Sequence, residues 1–320
     1  MTPTEKYEKA VSRYLAELRA TGRSPRTISN YGKRLRYFGD FWTGTEPDAD
    51  PGKDDVRAWR DSLLDKGTAP GTVRQYLIEL HTFFEFCEED EIYDLDPVTK
   101  RLYPKAKTDS KEYSLILEPE QLARLWENTG TGRKWARDYA IIVLLLDGKL
   151  RNAELLDARV EDVDFAHKEI TIPKGKGDKR RTVTLTDISL AAMEIYLKSG
   201  GHPAGCAAAG RLFPTRWGGD WRRGTATWLS GLVERHVRKV TGISGLRSHS
   251  LRHNGTVLDL NSGIPMERLQ AELGHASVTT TEIYAGRLGS RRRQEEYKMA
   301  LVARDYWASK NKMILKEMTK

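Results

Sequence analysis

Apolar residues recur every three or four positions along most of this chain, between short polar or Gly/Pro-containing breaks, and that period predicts helices. Tyr7, Val11, Tyr14, Leu15 and Leu18 line one face of a first helix. Gly22 stops it, and Ser24-Pro25 gives the second an N-cap and a first-turn proline. The second carries Ile28, Tyr31, Leu35 and Phe38. A third begins at Asp54-Asp55 and contains Val56, Trp59 and Leu63; Gly67 to Gly71 breaks the pattern. A fourth holds Val73, Tyr76, Leu77, Leu80, Phe83 and Phe84. Aromatic stripes at this spacing read as core, so residues 1–105 are expected to form a small all-α domain.

The period then lapses. Residues 103–114 are polar, with Pro and Lys, and 106–116 reads as a linker. Glu118-Pro119-Glu120 opens a new helical region, and 135–147 forms an apolar helix. Residues 168–173 and 181–186 alternate instead, which predicts a β-hairpin around the basic turn Lys174–Lys179. From 187 to 310 the chain reads as mostly helical, with Gly-rich loops near 199–210 and 217–224. The expected fold class is mainly α with a small antiparallel sheet. An α-rich domain over 117–320 follows the helical one.

Composition narrows the function. A length of 320 residues suits two domains. At 39% hydrophobic and 31% charged residues the chain reads as soluble and globular. Its longest aliphatic run, Ala140 to Leu146, is too short to span a bilayer, and no signal peptide opens the chain. A membrane or secreted protein is not expected; a cytoplasmic one is. Cys87 and Cys206 are too few for a disulfide framework or a thiolate metal site, and read as two reduced thiols. The net charge is +8. Of 53 Lys/Arg and 45 Asp/Glu, 17 and 19 precede residue 106, leaving 36 and 26 beyond it. The basic excess belongs to the C-terminal part, which suggests a nucleic-acid partner. The N-terminal part holds one acid-free basic stretch, Arg23, Arg26, Lys33, Arg34 and Arg36. It could follow a DNA backbone or be a solvated helix face. Arg74 joins Arg26 and Arg34 as an exposed basic candidate, each better suited to phosphate than to base edges.

Four segments of the C-terminal part carry reactive groups: Leu150-Arg151-Asn152-Ala153-Glu154; the Lys176 turn; His249-Ser250-Leu251-Arg252-His253; and Leu273-Gly274-His275 with Tyr284 nine positions on. Singly, each has a plain reading. Arg151 and Glu154 suit a surface ion pair, the Lys176 turn any exposed hairpin, and Tyr284 a half-buried helix position. His249 and His253 stand at metal-ligand spacing without a third ligand nearby, so no metal is expected.

Taken in order, Arg, Lys, His-x-x-Arg, Gly-His and Tyr resemble the tyrosine recombinase, or phage integrase, family over nearly the whole chain. The string from Leu273 through Thr279-Thr280-Thr281 to Tyr284 is its most specific part, and Ser24-Pro25-Arg26-Thr27-Ile28 looks like the start of that family's SAM-like core-binding domain. The resemblance implies DNA cleavage and rejoining by transesterification, without cofactor, metal or ATP. Tyr284 would be the nucleophile, leaving a 3′-phosphotyrosyl link and a free 5′-hydroxyl. Arg151 and Arg252 would clamp the phosphate, since a guanidinium grips two oxygens and keeps its proton. His249 would be the acid–base partner of Tyr284, and His275 would hydrogen-bond a phosphate oxygen. Lys176 would protonate the leaving oxygen, with Lys174 and Lys179 as rivals. Glu154 would orient its neighbours. Tyr297 and Tyr306 are rival nucleophiles without the Gly-His lead-in.

One departure stands out. The family usually has Gly directly before the first Leu-Arg, where this chain has Lys149, which could contact DNA or face solvent. The resemblance also implies a homo-tetramer on double-stranded recombination sites, with an accessory directionality or bending protein as a further partner and nucleoid association when bound. Residues 299–320, rich in Met, Leu, Tyr and Trp, are expected to dock on a neighbouring protomer. The biological roles expected are integration or excision of a mobile element, or Xer-like resolution of multimers. A topoisomerase with the same tyrosine chemistry and a DNA-binding regulator that does not cut are the rivals from other classes.

Overall fold

In the computed structural model, residues 1–45, 47–105, 115–127, 129–173, 180–203, 210–273 and 289–319 are described. The chain divides into two compact units, Met1–Asp109 and Ser110–Lys320.

The first unit is a four-helix domain: α1 (Pro3–Ala20), α2 (Pro25–Thr43), α3 (Lys53–Asp65) and α4 (Pro70–Glu89). The local signals act as anticipated. Ser24 caps α2 by accepting from the Thr27 amide at 3.1 Å, and Pro25 fills its first turn. Tyr7, Phe38, Trp42, Trp59, Phe83 and Phe84 are buried together. Tyr7 also donates its hydroxyl to the Leu35 carbonyl at 2.8 Å, so this buried phenol leaves no polar atom unpaired. Cys87 is buried in the same core, which pushes its thiol up to about 12 and keeps it a neutral packing residue. Cys206 lies outside the described residues.

The second unit runs α5 (Pro119–Leu125), α6 (Arg133–Asp147), α7 (Asn152–Asp157), β1 (Val163–Asp164), β2 (Glu169–Ile172), β3 (Arg181–Thr184), α8 (Asp187–Lys198), β4 (Thr215–Trp217), β5 (Asp220–Arg222), α9 (Ala226–Thr241), α10 (Ser248–Asn261), α11 (Met266–Leu273) and α12 (Arg291–Met318). Its centre is α6. Every residue from Tyr139 to Asp147 is buried, as a helix apolar on all sides requires. Helices α8, α9 and α10 pack around it. Strands β1, β2 and β3 form an antiparallel sheet in that order, with Ile172 opposite Arg181; the basic segment Lys174–Lys179, expected as the turn, lies outside the described residues.

One expectation changes. The Gly-rich stretch near 217–224 contains a second hairpin, β4–β5, turning at Gly218-Gly219 with φ of +57° and +94°. Two adjacent glycines able to take positive φ form the tight turn that matches strand twist. The residues from 299 to 318 continue α12, which packs on α5 and α8 and buries Ala300, Ala308, Asn311 and Leu315. Asn311 donates to the Tyr139 hydroxyl at 3.0 Å, and that hydroxyl donates to the Trp126 carbonyl at 2.7 Å. Met299, Val302, Tyr306 and Met313 remain exposed on the opposite face.

Candidate active site

The site begins where α6 ends. Gly148 caps it, and Lys149 follows at φ +51°, in the left-handed region. This backbone turn explains why a glycine suits the position. It also overturns the expectation that Lys149 faces DNA or solvent. Its side chain is 9% exposed and turned inward, with Nζ 2.6 Å from Asp259 Oδ2, 3.5 Å from Glu272 Oε2 and 2.9 Å from the Asp147 carbonyl.

The turn delivers Arg151 to the N-cap of α7. Glu154, three residues on, reaches back so that its Oε2 accepts from the Arg151 amide at 2.7 Å, the carboxylate half of a capping box. Its Oε1 accepts from Arg151 Nη1 at 2.8 Å. The pair is therefore no loose surface bridge: the Glu154 side chain is 4% exposed. Burial alone would raise the Glu154 carboxyl, but the hydrogen bonds from Arg181 and Arg151 outweigh it and hold the group below its ordinary value.

Helix α10 supplies the second half. Arg252 is 2% exposed, with Nη1 donating to the Lys149 carbonyl and Nη2 to the Leu273 carbonyl at 2.8 Å. Arg151 Nη2 donates to that same Leu273 oxygen at 3.1 Å. One carbonyl with two lone pairs thus fixes both arginines. It is an orphan carbonyl at the C-terminal end of α11, where the helix dipole favours cations. His249 stands three residues before Arg252 and is exposed, with its ring 4.4 Å from that of His253 in a T-shaped contact. A cavity of about 420 Å³ is lined by His249 together with Asn152, Ser230, Arg247, Ser248 and Ser250. Its polar lining and the uncapped start of α10 suit a phosphate-bearing chain.

The structure therefore brings together Arg151, Glu154 and Arg252, and places His249 on the helix that carries Arg252. Lys176, His275 and Tyr284 lie outside the described residues, as do the rival lysines Lys174 and Lys179. Of the rival tyrosines, Tyr297 is buried at 1% exposure beneath Arg293, whereas Tyr306 is exposed. No group of three or more metal-ligating side chains occurs among the described residues. Sequence reasoning missed Arg181, Lys149 as a buried cation, and the α11 carbonyls that gather the guanidiniums.

In the first unit, Arg23, Arg26 and Lys33 are exposed at the start and along one side of α2, and Arg74 is exposed on α4 with its guanidinium 5.1 Å from the Tyr103 ring centre. Arg34 does not share that exposure. It pairs with Glu79, itself 5% exposed, and lies 5.1 Å over the Tyr76 ring. A long side chain beside a buried carboxylate folds inward.

Comparison with known proteins bears on the whole chain. The Phage integrase family profile matches residues 116–289, and that of the Phage integrase N-terminal SAM-like domain matches 11–99. The tyrosine recombinase XerC of Oceanobacillus iheyensis is 30% identical over 82% of this chain and 85% of its own length. XerD of Listeria monocytogenes is 26% identical over 82% and 88%. The Tn1549 transposon integrase bound to transposon right end DNA has a similar fold, with a TM-score of 0.69 at 20% identity over 94% of this chain and 100% of that one. The XerH site-specific recombinase bound to a palindromic difH substrate gives 0.65 at 20% identity, over 86% and 80%. With two profile matches that together span most of the chain, and a relative at 30% identity over most of both lengths, the chain belongs to the phage integrase family of tyrosine recombinases.

Proposed function

We infer that this tyrosine-type site-specific recombinase integrates or excises a mobile DNA element. The observation that carries the chemistry is the pair Arg151 and Arg252, held on one carbonyl two residues before His275. A phosphodiester under attack gathers negative charge on its equatorial oxygens, and preorganised cations there supply most of the rate.

In the proposed step the Tyr284 oxygen attacks phosphorus and the bond to the 5′-oxygen breaks. His249 takes the phenol proton, since a hydroxyl with a pKa of about 10 needs a base at neutral pH. Lys176 gives a proton to the leaving 5′-oxygen, and His275 hydrogen-bonds a phosphate oxygen. The phosphotyrosyl bond keeps the energy of the one broken, so a 5′-hydroxyl from a partner strand can reseal it. Four protomers on two duplexes would perform this in turn, with an accessory protein setting direction. Arg23, Arg26, Lys33 and Arg74 would hold phosphates from the first unit. Arg34 would act through α2, because Glu79 occupies its guanidinium. The protein would work in the cytoplasm, on the nucleoid when bound.

Resolution of chromosome or plasmid multimers is the second reading, favoured by relatives named XerC and XerD. The test uses nicked duplexes that trap cleavage by losing a short 5′-hydroxyl fragment. Wild type should give a covalent adduct under denaturing conditions without added metal, and Tyr284→Phe none. Sequencing the adducts would reveal the site. An adduct that survives Tyr284→Phe would sink the nucleophile assignment, and none from wild type on its footprinted site would favour a regulator that does not cut.

A further inference from the structure

Arg181 is absent from every motif that marks the site, yet it is built into it. It opens β3, five residues after Lys176. Its Nη2 donates to Glu154 Oε2 at 2.7 Å, and its Nη1 donates to the Glu272 carbonyl. The side chain is 14% exposed. Its Nε is buried and makes no hydrogen bond among the described residues. Burying a donor in that way carries a desolvation penalty that no bond repays. A guanidinium kept there at such a cost is no incidental surface pair.

The two anchors belong to different parts of the site. Glu154 holds Arg151, and the Glu272 carbonyl lies one residue before the Leu273 carbonyl that gathers Arg151 and Arg252. If Arg181 is removed, Glu154 still holds Arg151 through both its guanidinium and its amide. What is lost is the tie between the hairpin and the rest. We propose that Arg181 is a positioning residue that fixes the β2–β3 hairpin against the arginine clamp, so that Lys176 meets the leaving oxygen. This rests on the reading of Lys176 as the general acid.

The consequence is specific. Loss of Arg181 should impair protonation of the leaving group and spare the clamp. A substrate whose scissile 5′-oxygen is replaced by sulfur tests this, because a thiolate leaves without a proton. The measurement is single-turnover cleavage by the full chain, on the site recovered from adduct sequencing. Arg181→Met should cleave ordinary DNA about 100-fold more slowly, the size expected from a misplacement of about 1 Å. On the sulfur-bridged DNA it should come within about 3-fold of wild type, because the general-acid contribution is no longer needed. Lys176→Met should show the same pattern. Arg181→Lys, able to reach one anchor but not both, should fall between Arg181→Met and wild type on ordinary DNA; should the methionine variant not fold, it carries the same comparison. Rescue of Lys176→Met but not of the Arg181 variants would overturn the proposal alone. Failure to rescue Lys176→Met would remove the general-acid reading, and the proposal with it.

Discussion

Lys149 holds a backbone conformation that costs an L-residue about 1–2 kcal/mol, and its buried ammonium joins α10 to α11 through Asp259 and Glu272. Two substitutions separate these effects. Lys149→Met keeps the strain and takes the cation from the buried Asp259 carboxylate, whereas Glu272 keeps Arg268 at 3.0 Å, so chemical denaturation should show a loss of about 3 kcal/mol. Lys149→Gly removes the same cation but relieves the backbone, and should be more stable than the methionine variant by about 1 kcal/mol. Equal losses would mean that the backbone is not strained there. His236 makes a second prediction. Burial, with the nearby Lys239, depresses its imidazole from 6.5 to about 4. The unfolded chain then binds a proton that the folded chain refuses, so stability should fall as the pH drops from about 6.5 towards 4, by up to about 3 kcal/mol. His236→Phe, which keeps a ring 4.8 Å from Trp135, should flatten that part of the profile. At this scale the sequence was half legible. Arg151, Glu154 and Arg252 meet as their motifs suggested. The inward turn of Lys149 and Arg34 was hidden, because a long basic side chain follows the nearest buried carboxylate, and Asp259 and Glu79 are far from them in sequence.

Helix α10 reaches its place through Gly255. A Cβ there would meet the Leu146 carbonyl oxygen at 1.9 Å, so α10 and α6 touch backbone to backbone just beyond Arg252 and His249. Gly255→Ala must push the helices apart. It should cost more than about 3 kcal/mol, an overpacked core's upper range, and slow cleavage even in molecules that fold, as judged by melting and adduct yield. A melting temperature within a degree of wild type would contradict the close approach. The helices themselves were plain in the sequence, because their apolar period and their Ser-Pro and Gly ends are local. The β4–β5 hairpin was missed although Trp217-Gly218-Gly219-Asp220 announces a two-residue turn; its strands are too short to establish an alternation. The close packing at Gly255 leaves no local trace, since a glycine inside a helix looks like any other weak position.

On the scale of the whole molecule, α12 changes what a truncation means. Ala308, Asn311 and Leu315 lie in the core of their own unit. Ending the chain after Arg304 should therefore lower the melting temperature of the protein without DNA, before any question of assembly arises. Replacing exposed Tyr306 and Met313 by serine should leave that temperature within about a degree, because surface changes are usually within about 0.5 kcal/mol. Composition showed the apolar character of 299–315 but not which neighbour it covers; a helix with apolar residues on two faces reads alike whether one face is buried at home or both await a partner. That arrangement also orders events on the ribosome. The segments carrying the proposed site residues Arg151, Lys176, Arg252 and Tyr284 all emerge before α12, yet the core of their unit is closed by α12 against α5, its first helix, and α8. A chain made only as far as residue 290 therefore holds every proposed reactive group but lacks the helix that completes their scaffold. A message with an early stop codon would release the helical first unit, with its own core, and none of those groups.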